Sequence, residues 1–79
     1  MNISEAVSTK IIKICDERNI TINKLAYISG ITQSTLDNIV NRKSKNPKLL
    51  TIIRICDGLD ITLYDFFNDP IFLNLDRED

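Results

Sequence analysis

The sequence predicts an all-α domain, and three observations carry that prediction. Apolar residues recur at the three- and four-residue spacing of helix faces along most of the chain. Thr, Asn and Gly stand where those faces begin and end, as helix caps and helix exits do. The chain has only two Gly and two Pro and no hairpin-turn signals, so we interpret its Ile-rich runs as helical rather than as strands.

Capping residues predict five helices and the start of a short sixth. The expected N-caps are, in chain order, Asn2 or Ser4, Thr21, Thr32, Asn46 and Thr62, with Asp69-Pro70 opening the sixth. The first helix is expected near residues 5–18. Asn19 and Gly30 suit the ends of the first two helices, because both tolerate left-handed backbone. Pro47 follows Asn46 at the position where proline fits the first helical turn.

The apolar positions within these helices define the expected core. They are Val7, Ile11, Ile14, Cys15, Leu25, Ala26, Leu36, Ile39, Val40, Leu49, Ile52, Ile55, Cys56 and Leu59, closed by Phe66 or Phe67. We interpret Cys15 and Cys56 as buried, reduced thiols. A redox pair is the alternative, although no basic neighbour obviously activates either thiol.

One segment recurs within the chain. Residues 11–22, IIKICDERNITI, and residues 52–63, IIRICDGLDITL, share seven of twelve positions. The residues after each copy differ, so a repeated structural unit is not indicated. We interpret the similarity as one local task performed twice: an apolar helix, its exit, and a threonine cap that opens the next helix.

The net charge of −1 conceals an uneven distribution. Residues 1–37 are neutral, residues 38–56 carry +5 without any acid, and residues 57–79 carry −6. The cations of the central segment are Arg42, Lys43, Lys45, Lys48 and Arg54. Because local charge decides where a charged partner docks, this segment predicts a surface for a polyanion.

Two short helices joined at Gly30 form a helix-turn-helix, whose second helix fits the DNA major groove. From Thr21 to Phe67 the sequence resembles the Cro/C1-type (XRE) helix-turn-helix family of bacterial and phage repressors. The residues that carry the resemblance are Thr21, Leu25, Ala26, Gly30, Ile31, Leu36, Ile39, Pro47, Leu49, Ile55, Leu59, Ile61 and Phe66. The resemblance implies a compact five-helix bundle of the lambda-repressor-like type that binds double-stranded operator DNA as a homodimer.

The resemblance also assigns expected DNA contacts. A recognition helix at about residues 32–41 would contact bases through Gln33, Ser34 and Asn38, side chains whose hydrogen-bonding groups suit base edges. Contacts to the DNA backbone are expected from Ile22, Asn23, Thr35, Asn41, Arg42, Lys43 and Lys45. An ordinary solvated surface is the alternative for Gln33, Ser34 and Asn38 and for the basic run of Arg42, Lys43 and Lys45. Lys48 and Arg54 are interpreted as solubilising residues of the fourth helix.

The sequence departs from the family at several positions. Many members pair an Arg in the first helix with a Glu late in the third, where this chain has Cys15 and Val40. The charged pair is therefore replaced as a unit, which leaves no lone buried charge. Ser29 stands where an aliphatic residue is common, and Arg42 replaces the usual Gly after the third helix.

These observations predict a sequence-specific transcriptional regulator, in particular a repressor that occupies a pseudo-palindromic operator. Two alternatives stay open: the antitoxin of a toxin–antitoxin pair, and an interaction module that keeps the fold without binding DNA. An enzyme is not expected, since the chain has no His, the commonest general base. No cofactor, metal or small-molecule ligand is expected. The absence of a signal peptide or a long apolar run predicts a cytoplasmic protein.

The C-terminal segment is the last element to assign. We expect a DNA-binding domain at residues 1–68 and a tail at residues 69–79. The tail region carries more apolar residues than a free segment should expose: Phe67, Ile71, Phe72, Leu73 and Leu75. It either folds back over its own core or meets a second copy across a two-fold axis, and dimer contact is favoured.

Overall fold

The computed structural model describes residues 1–77, which form helices joined by short connections. The elements are α1 (Ile3–Arg18), α2 (Ile22–Ser29), α3 (Gln33–Val40), α4 (Leu49–Leu59), α5 (Leu63–Phe67) and a 3-10 helix at Pro70–Phe72. No strand occurs within this described range. The all-α, five-helix prediction is confirmed, and the short sixth element is one 3-10 turn. The last two residues of the expected tail, Glu78 and Asp79, lie outside the described residues.

Three helices end through the same backbone arrangement. Left-handed residues terminate α1, α2 and α4, with φ of 55° at Asn19, 66° at Gly30 and 57° at Asp60. An isoleucine follows each of them and donates its N–H to the last helical turn at 3.0 or 3.1 Å: Ile20 to Cys15, Ile31 to Ala26 and Ile61 to Cys56. This bond is typical of Schellman helix ends.

A threonine then opens the next helix at each of these junctions. The hydroxyl oxygens of Thr21, Thr32 and Thr62 accept hydrogen bonds from backbone N–H groups three residues ahead. All three threonine caps are therefore confirmed. The junctions also explain the recurring segment, because each of its two copies places a left-handed residue (Asn19 or Asp60), then Ile, then Thr after an apolar helix.

The structure shows which residue caps α1, and it places the start of α4 later than the sequence predicts. Asn2 caps α1, since its side chain accepts from the Glu5 N–H at 2.8 Å. The predicted Asn46 cap and first-turn Pro47 are wrong, because α4 begins only at Leu49, after Lys48 in extended conformation without a side-chain cap. The first backbone hydrogen bond of α4 runs from the Ile52 N–H to the Lys48 carbonyl. Pro47 therefore lies in the loop, before the first turn of the helix.

Leu49 is a second correction. Its side chain was expected in the core but is 55% exposed. Helical side chains lean toward the helix N-terminus and cover the preceding turn. At the first residue of α4 no preceding turn exists, so the Leu49 side chain extends into solvent.

The core forms where the inner faces of α1, α2, α3 and α4 meet, with Phe66 of α5 completely buried among them. Its buried members are Val7, Ile11, Ile14, Cys15, Leu25, Ala26, Leu36, Ile39, Ile52, Ile55, Cys56, Leu59 and Phe66. Val40 and Phe67 pack on this cluster but are only partly buried. Apart from Leu49, which is exposed, and Val40, which is only partly buried, the predicted core positions are buried in the structure.

Both cysteines are buried and unpaired, as expected. Burial raises the pKa of the Cys15 thiol, and the neighbouring Asp16 carboxylate raises it further. Burial likewise raises the pKa of Cys56, with added contributions from two nearby aspartates. Both thiols are therefore held in the protonated form, which is a poor nucleophile.

The segment after α5 folds back onto α1. The Asp69 carboxylate is buried and lies 3.0 Å from Lys10 Nζ and 3.1 Å from Lys13 Nζ. The Asp69 side chain also accepts from the Ile71 N–H, which caps the 3-10 helix. Phe72 packs on the core with its ring centroid 4.9 Å from that of Phe67. Part of the apolar tail thus packs on its own domain, while its role in dimer contact stays a prediction.

Candidate nucleic-acid interface

The helix-turn-helix is built from α2, a three-residue turn and α3. Gly30 supplies the left-handed residue at φ 66°. Ala26 is buried in α2. Its small side chain allows α2 to approach the neighbouring helices closely. Thr32 then caps α3 through the Thr35 N–H at 3.1 Å. The turn therefore fixes where α3 begins relative to the rest of the domain.

The two faces of α3 divide as the sequence predicts. Leu36 and Ile39 are buried against the core, whereas Gln33, Ser34 and Asn38 are exposed. Ser34 and Asn38 are four residues apart, so they share one side of the helix. The structure thus brings the predicted base-contacting side chains together on one solvent-facing surface, and the contacts themselves stay predictions.

Two hydrogen bonds order the first turns of this surface. Gln33 Nε2 donates to Asp37 Oδ1 at 2.8 Å. Because a carboxylate only accepts, this bond sets the amide orientation and leaves Gln33 Oε1 and one N–H free for a base. Thr32 Oγ1 donates to Thr35 Oγ1 at 2.8 Å, so the Thr35 hydroxyl hydrogen stays available.

Arg42, Lys43 and Lys45 follow α3 in an exposed segment, residues 41–46, which we call the basic loop. Arg42 takes φ 61°, the left-handed conformation that the usual Gly would adopt. The Arg42 N–H donates to Ile39 O at 3.2 Å and the Lys43 N–H to Asn38 O at 2.9 Å. These bonds make a Schellman ending for α3 with arginine at the glycine position.

A groove of about 430 Å³ runs between the turn, α3 and the start of α4. Thr35 and Asn38 line one side, and Lys48, Thr51 and Arg54 line the other. Sequence reasoning missed Lys48 and Arg54, which it treated as solubilising. The available signal was the acid-free stretch 38–56, which extends past the basic loop into α4.

The cations of this basic surface form no ion pair with a described acid, although Glu5 of α1 lines the same pocket as Arg42 and Lys45. Among residues 1–77, ion pairs join only the N-terminus to Asp76 and the two α1 lysines to Asp69. Asp69 thus pairs with α1, and Asp76 pairs with the N-terminus. Neither pairs with the basic loop or with Lys48 and Arg54. An exposed cluster of unpaired cations attracts a polyanion.

The predicted contacts at the start of α2 lie at its first turn. Thr21 caps α2 by accepting from the Lys24 N–H at 3.0 Å. Ile22 and Asn23 are the first helical residues, and backbone N–H groups there lack intrahelical acceptors. Such amides at a helix N-terminus are suited to a phosphate oxygen.

Comparison with known proteins identifies this arrangement. A profile of the Cro/C1-type HTH DNA-binding domain matches residues 10–70. The crystal structure of the prophage Lp1 protein 11 superimposes with a TM-score of 0.82 at 33% sequence identity, covering 95% of this chain and 100% of that one. Comparison with curated protein sequences gave no match. None of the helices within residues 1–77 is long and apolar enough to cross a membrane. The chain belongs to the Cro/C1-type helix-turn-helix family of DNA-binding regulators.

Proposed function

We propose that this protein is a transcriptional repressor that binds a pseudo-palindromic DNA operator as a homodimer. The observation that carries the proposal is the pairing of two features on one surface. The exposed polar face of α3 presents amide and hydroxyl groups, and the adjoining basic loop presents cations that form no ion pair with a described acid. The first feature suits base edges and the second suits phosphates.

Base recognition falls to Gln33, Asn38 and Ser34. An amide side chain pairs bidentately with adenine through one acceptor and one donor. The bond from Gln33 to Asp37 pre-orients that amide while leaving both groups available. Asn38 and Ser34 would read neighbouring positions from the same side of α3.

Phosphate contacts fall to the residues that surround this face. They are the N-terminal amides of α2 at Ile22 and Asn23, the side chains of Thr35 and Asn41, and the cations Arg42, Lys43 and Lys45. If three cations of each subunit neutralise phosphates, a dimer displaces about six counterions, which gives a log–log salt slope of about −5. Repression follows from occupancy, because a bound dimer blocks a promoter that overlaps its site.

The antitoxin alternative depends on a free apolar tail. Asp69 is instead tied to two α1 lysines, and Phe72 packs on the core. A toxin would have to displace these contacts or use only the residues beyond them. The structure therefore supports the operator-binding function better.

The test is selection from a random-sequence duplex pool at several salt concentrations, followed by affinity measurements on the selected site. Enrichment of a symmetric sequence and a salt slope near −5 are expected for the wild type. Arg42→Ala/Lys43→Ala removes four cations per dimer and should lower the slope to about −2. Arg18→Ala/Arg77→Ala loses the same charge outside the basic loop, at residues that form no ion pair within residues 1–77, and is the matched control. Failure of any sequence to be enriched, with negligible affinity even at low salt, would refute the proposal.

A further inference from the structure

We propose that Ser4 and Ser8 of α1 are positioning residues that hold the basic loop in the geometry that contacts DNA. The inference rests on the proposed function. Neither serine lies on the α3 surface, and neither belongs to the DNA contacts assigned above. Both are buried, at 6% and 0% exposure, yet both are polar. A buried hydroxyl needs a hydrogen-bond partner. One partner is the last residue of α3, and the other lies within the basic loop.

The two bonds reach the backbone on either side of Arg42 and Lys43. Ser8 Oγ donates to the Val40 carbonyl at 2.6 Å, and Ser4 Oγ donates to the Ser44 carbonyl at 2.9 Å. Serines inside helices commonly bond back to a carbonyl of their own helix. Here two serines one turn apart on α1 bond instead to another element, and their acceptors bracket residues 41–43.

The loop needs this external support. Arg42 is held in a left-handed conformation that costs a non-glycine residue energy. The N–H groups of Lys43 and Ser44 share one acceptor, the Asn38 carbonyl, at 2.9 and 3.2 Å. Lys45 directly follows Ser44, so the bond from Ser4 fixes the point from which that cation projects.

Loss of either bond should weaken DNA binding without changing which sequence is preferred. A loosened loop must be ordered again when it contacts phosphates. The conformational entropy lost on ordering one residue lowers the DNA affinity about tenfold per subunit. The base-reading side chains of α3 are unaffected, because Leu36 and Ile39 still anchor that helix. The cost therefore falls equally on specific and non-specific duplexes.

The experiment compares Ser4→Ala, Ser8→Ala and Ser4→Thr with Ser29→Ala as matched control. Ser29 is also a buried serine, but its Oγ has no hydrogen-bond partner among the described residues. Affinities are measured for the selected site and for a scrambled duplex at one salt concentration. Amide hydrogen exchange at Lys43 and Ser44 is measured on the free protein.

In the dimer, Ser4→Ala should bind both duplexes about a hundredfold more weakly, which is about tenfold per subunit. It should keep the ratio of the two affinities and exchange the Lys43 and Ser44 amides faster. Ser8→Ala should act in the same direction. Ser4→Thr keeps the hydroxyl and should restore binding, and Ser29→Ala should bind like the wild type. The proposal is overturned if loop exchange is unchanged in both alanine variants, or if Ser29→Ala weakens binding as much. A wild type that binds no DNA refutes the proposed function instead, and the exchange experiment then still tests whether the serines hold the loop.

Discussion

Gly58 provides a sharp test of the packing between α2 and α4. A Cβ added at Gly58 would lie 2.9 Å from the Ile28 carbonyl oxygen, 3.0 Å from the Ile28 carbonyl carbon and 2.8 Å from Ser29 Oγ. Two of these contacts are to backbone, which cannot rotate away. Gly58 therefore allows α4 to approach the last turn of α2, and Gly58→Ala is expected to force the helices apart.

Two opposing effects set the size of the change. Alanine is better than glycine in a helix by about 1 kcal/mol. Overpacking a close helix contact costs about 1–3 kcal/mol. Since the clash involves backbone, we expect the overpacking cost to exceed the propensity gain and the free energy of unfolding to fall by about 1 kcal/mol. In a domain of this size that corresponds to a fall in Tm of about 4–8 °C.

The assay is thermal and urea unfolding of a double-mutant cycle with Ser29→Ala. Removing Ser29 Oγ relieves the shortest contact, so Ser29→Ala/Gly58→Ala should regain roughly 0.5 kcal/mol relative to additivity. Gly30 offers a contrasting site, because a Cβ there meets no atom within 4 Å outside its chain neighbours and the cost comes from φ +66° alone. Gly30→Asn should therefore be milder than Gly30→Ala, since Asn tolerates that backbone. If Gly58→Ala raises stability by about 1 kcal/mol, helix propensity alone decides the outcome and the close-packing argument is wrong.

Three further outcomes are expected. Arg42→Gly relieves left-handed strain and should raise stability by roughly 0.5–1 kcal/mol while weakening DNA binding, whereas Asn19→Gly should leave binding unchanged. Asp69→Asn should lower Tm at pH 7, because the Ile71 N–H bond and then the two α1 lysines hold the pKa of Asp69 well below its usual range. That contribution is present above the unfolded-state pKa of about 3.9 and is lost as pH falls below it, so the two melting curves should converge in acid. Cys15 and Cys56 should resist thiol reagents at pH 8 in the folded protein and react in urea, because burial raises both pKa values; equally fast reaction of the folded protein would contradict their burial.

Local signals were sufficient for most of the fold. Thr21, Thr32 and Thr62 are N-caps whose bonds lie within three residues, so the sequence alone contains the whole interaction. The exposed face of α3 was equally predictable, because Leu36 and Ile39 set the buried side by periodicity. These features depend on neighbours in the chain and not on the rest of the domain.

Features that depend on distant residues could not be predicted in the same way. Asn46-Pro47 is a strong local signal and predicts too early a start for α4. The path of the loop from α3 decides that the helix begins only at Leu49. The sequence predicts Asp69 at the start of the sixth element but not its ion pairs with Lys10 and Lys13, which span more than fifty residues of sequence. Arg54 joins the groove only because the bundle places α4 across the groove from α3.

Arg42 is an unusual residue for the left-handed position at a helix end. Three of the four left-handed residues are Asn19, Gly30 and Asp60, residue types that visit this conformation at low cost. The fourth is Arg42, for which the same conformation costs about 1 kcal/mol or more, although glycine would complete the same Schellman bonds. Strain of this kind persists where the side chain contributes something that the cheaper residue lacks. At Arg42 that contribution is an exposed charge at the end of α3, and one phosphate contact there would add about 0.9 to the salt slope. If Arg42→Gly proves more stable yet binds operator DNA as tightly as the wild type, the strain has no such role and the basic loop is a solvated surface.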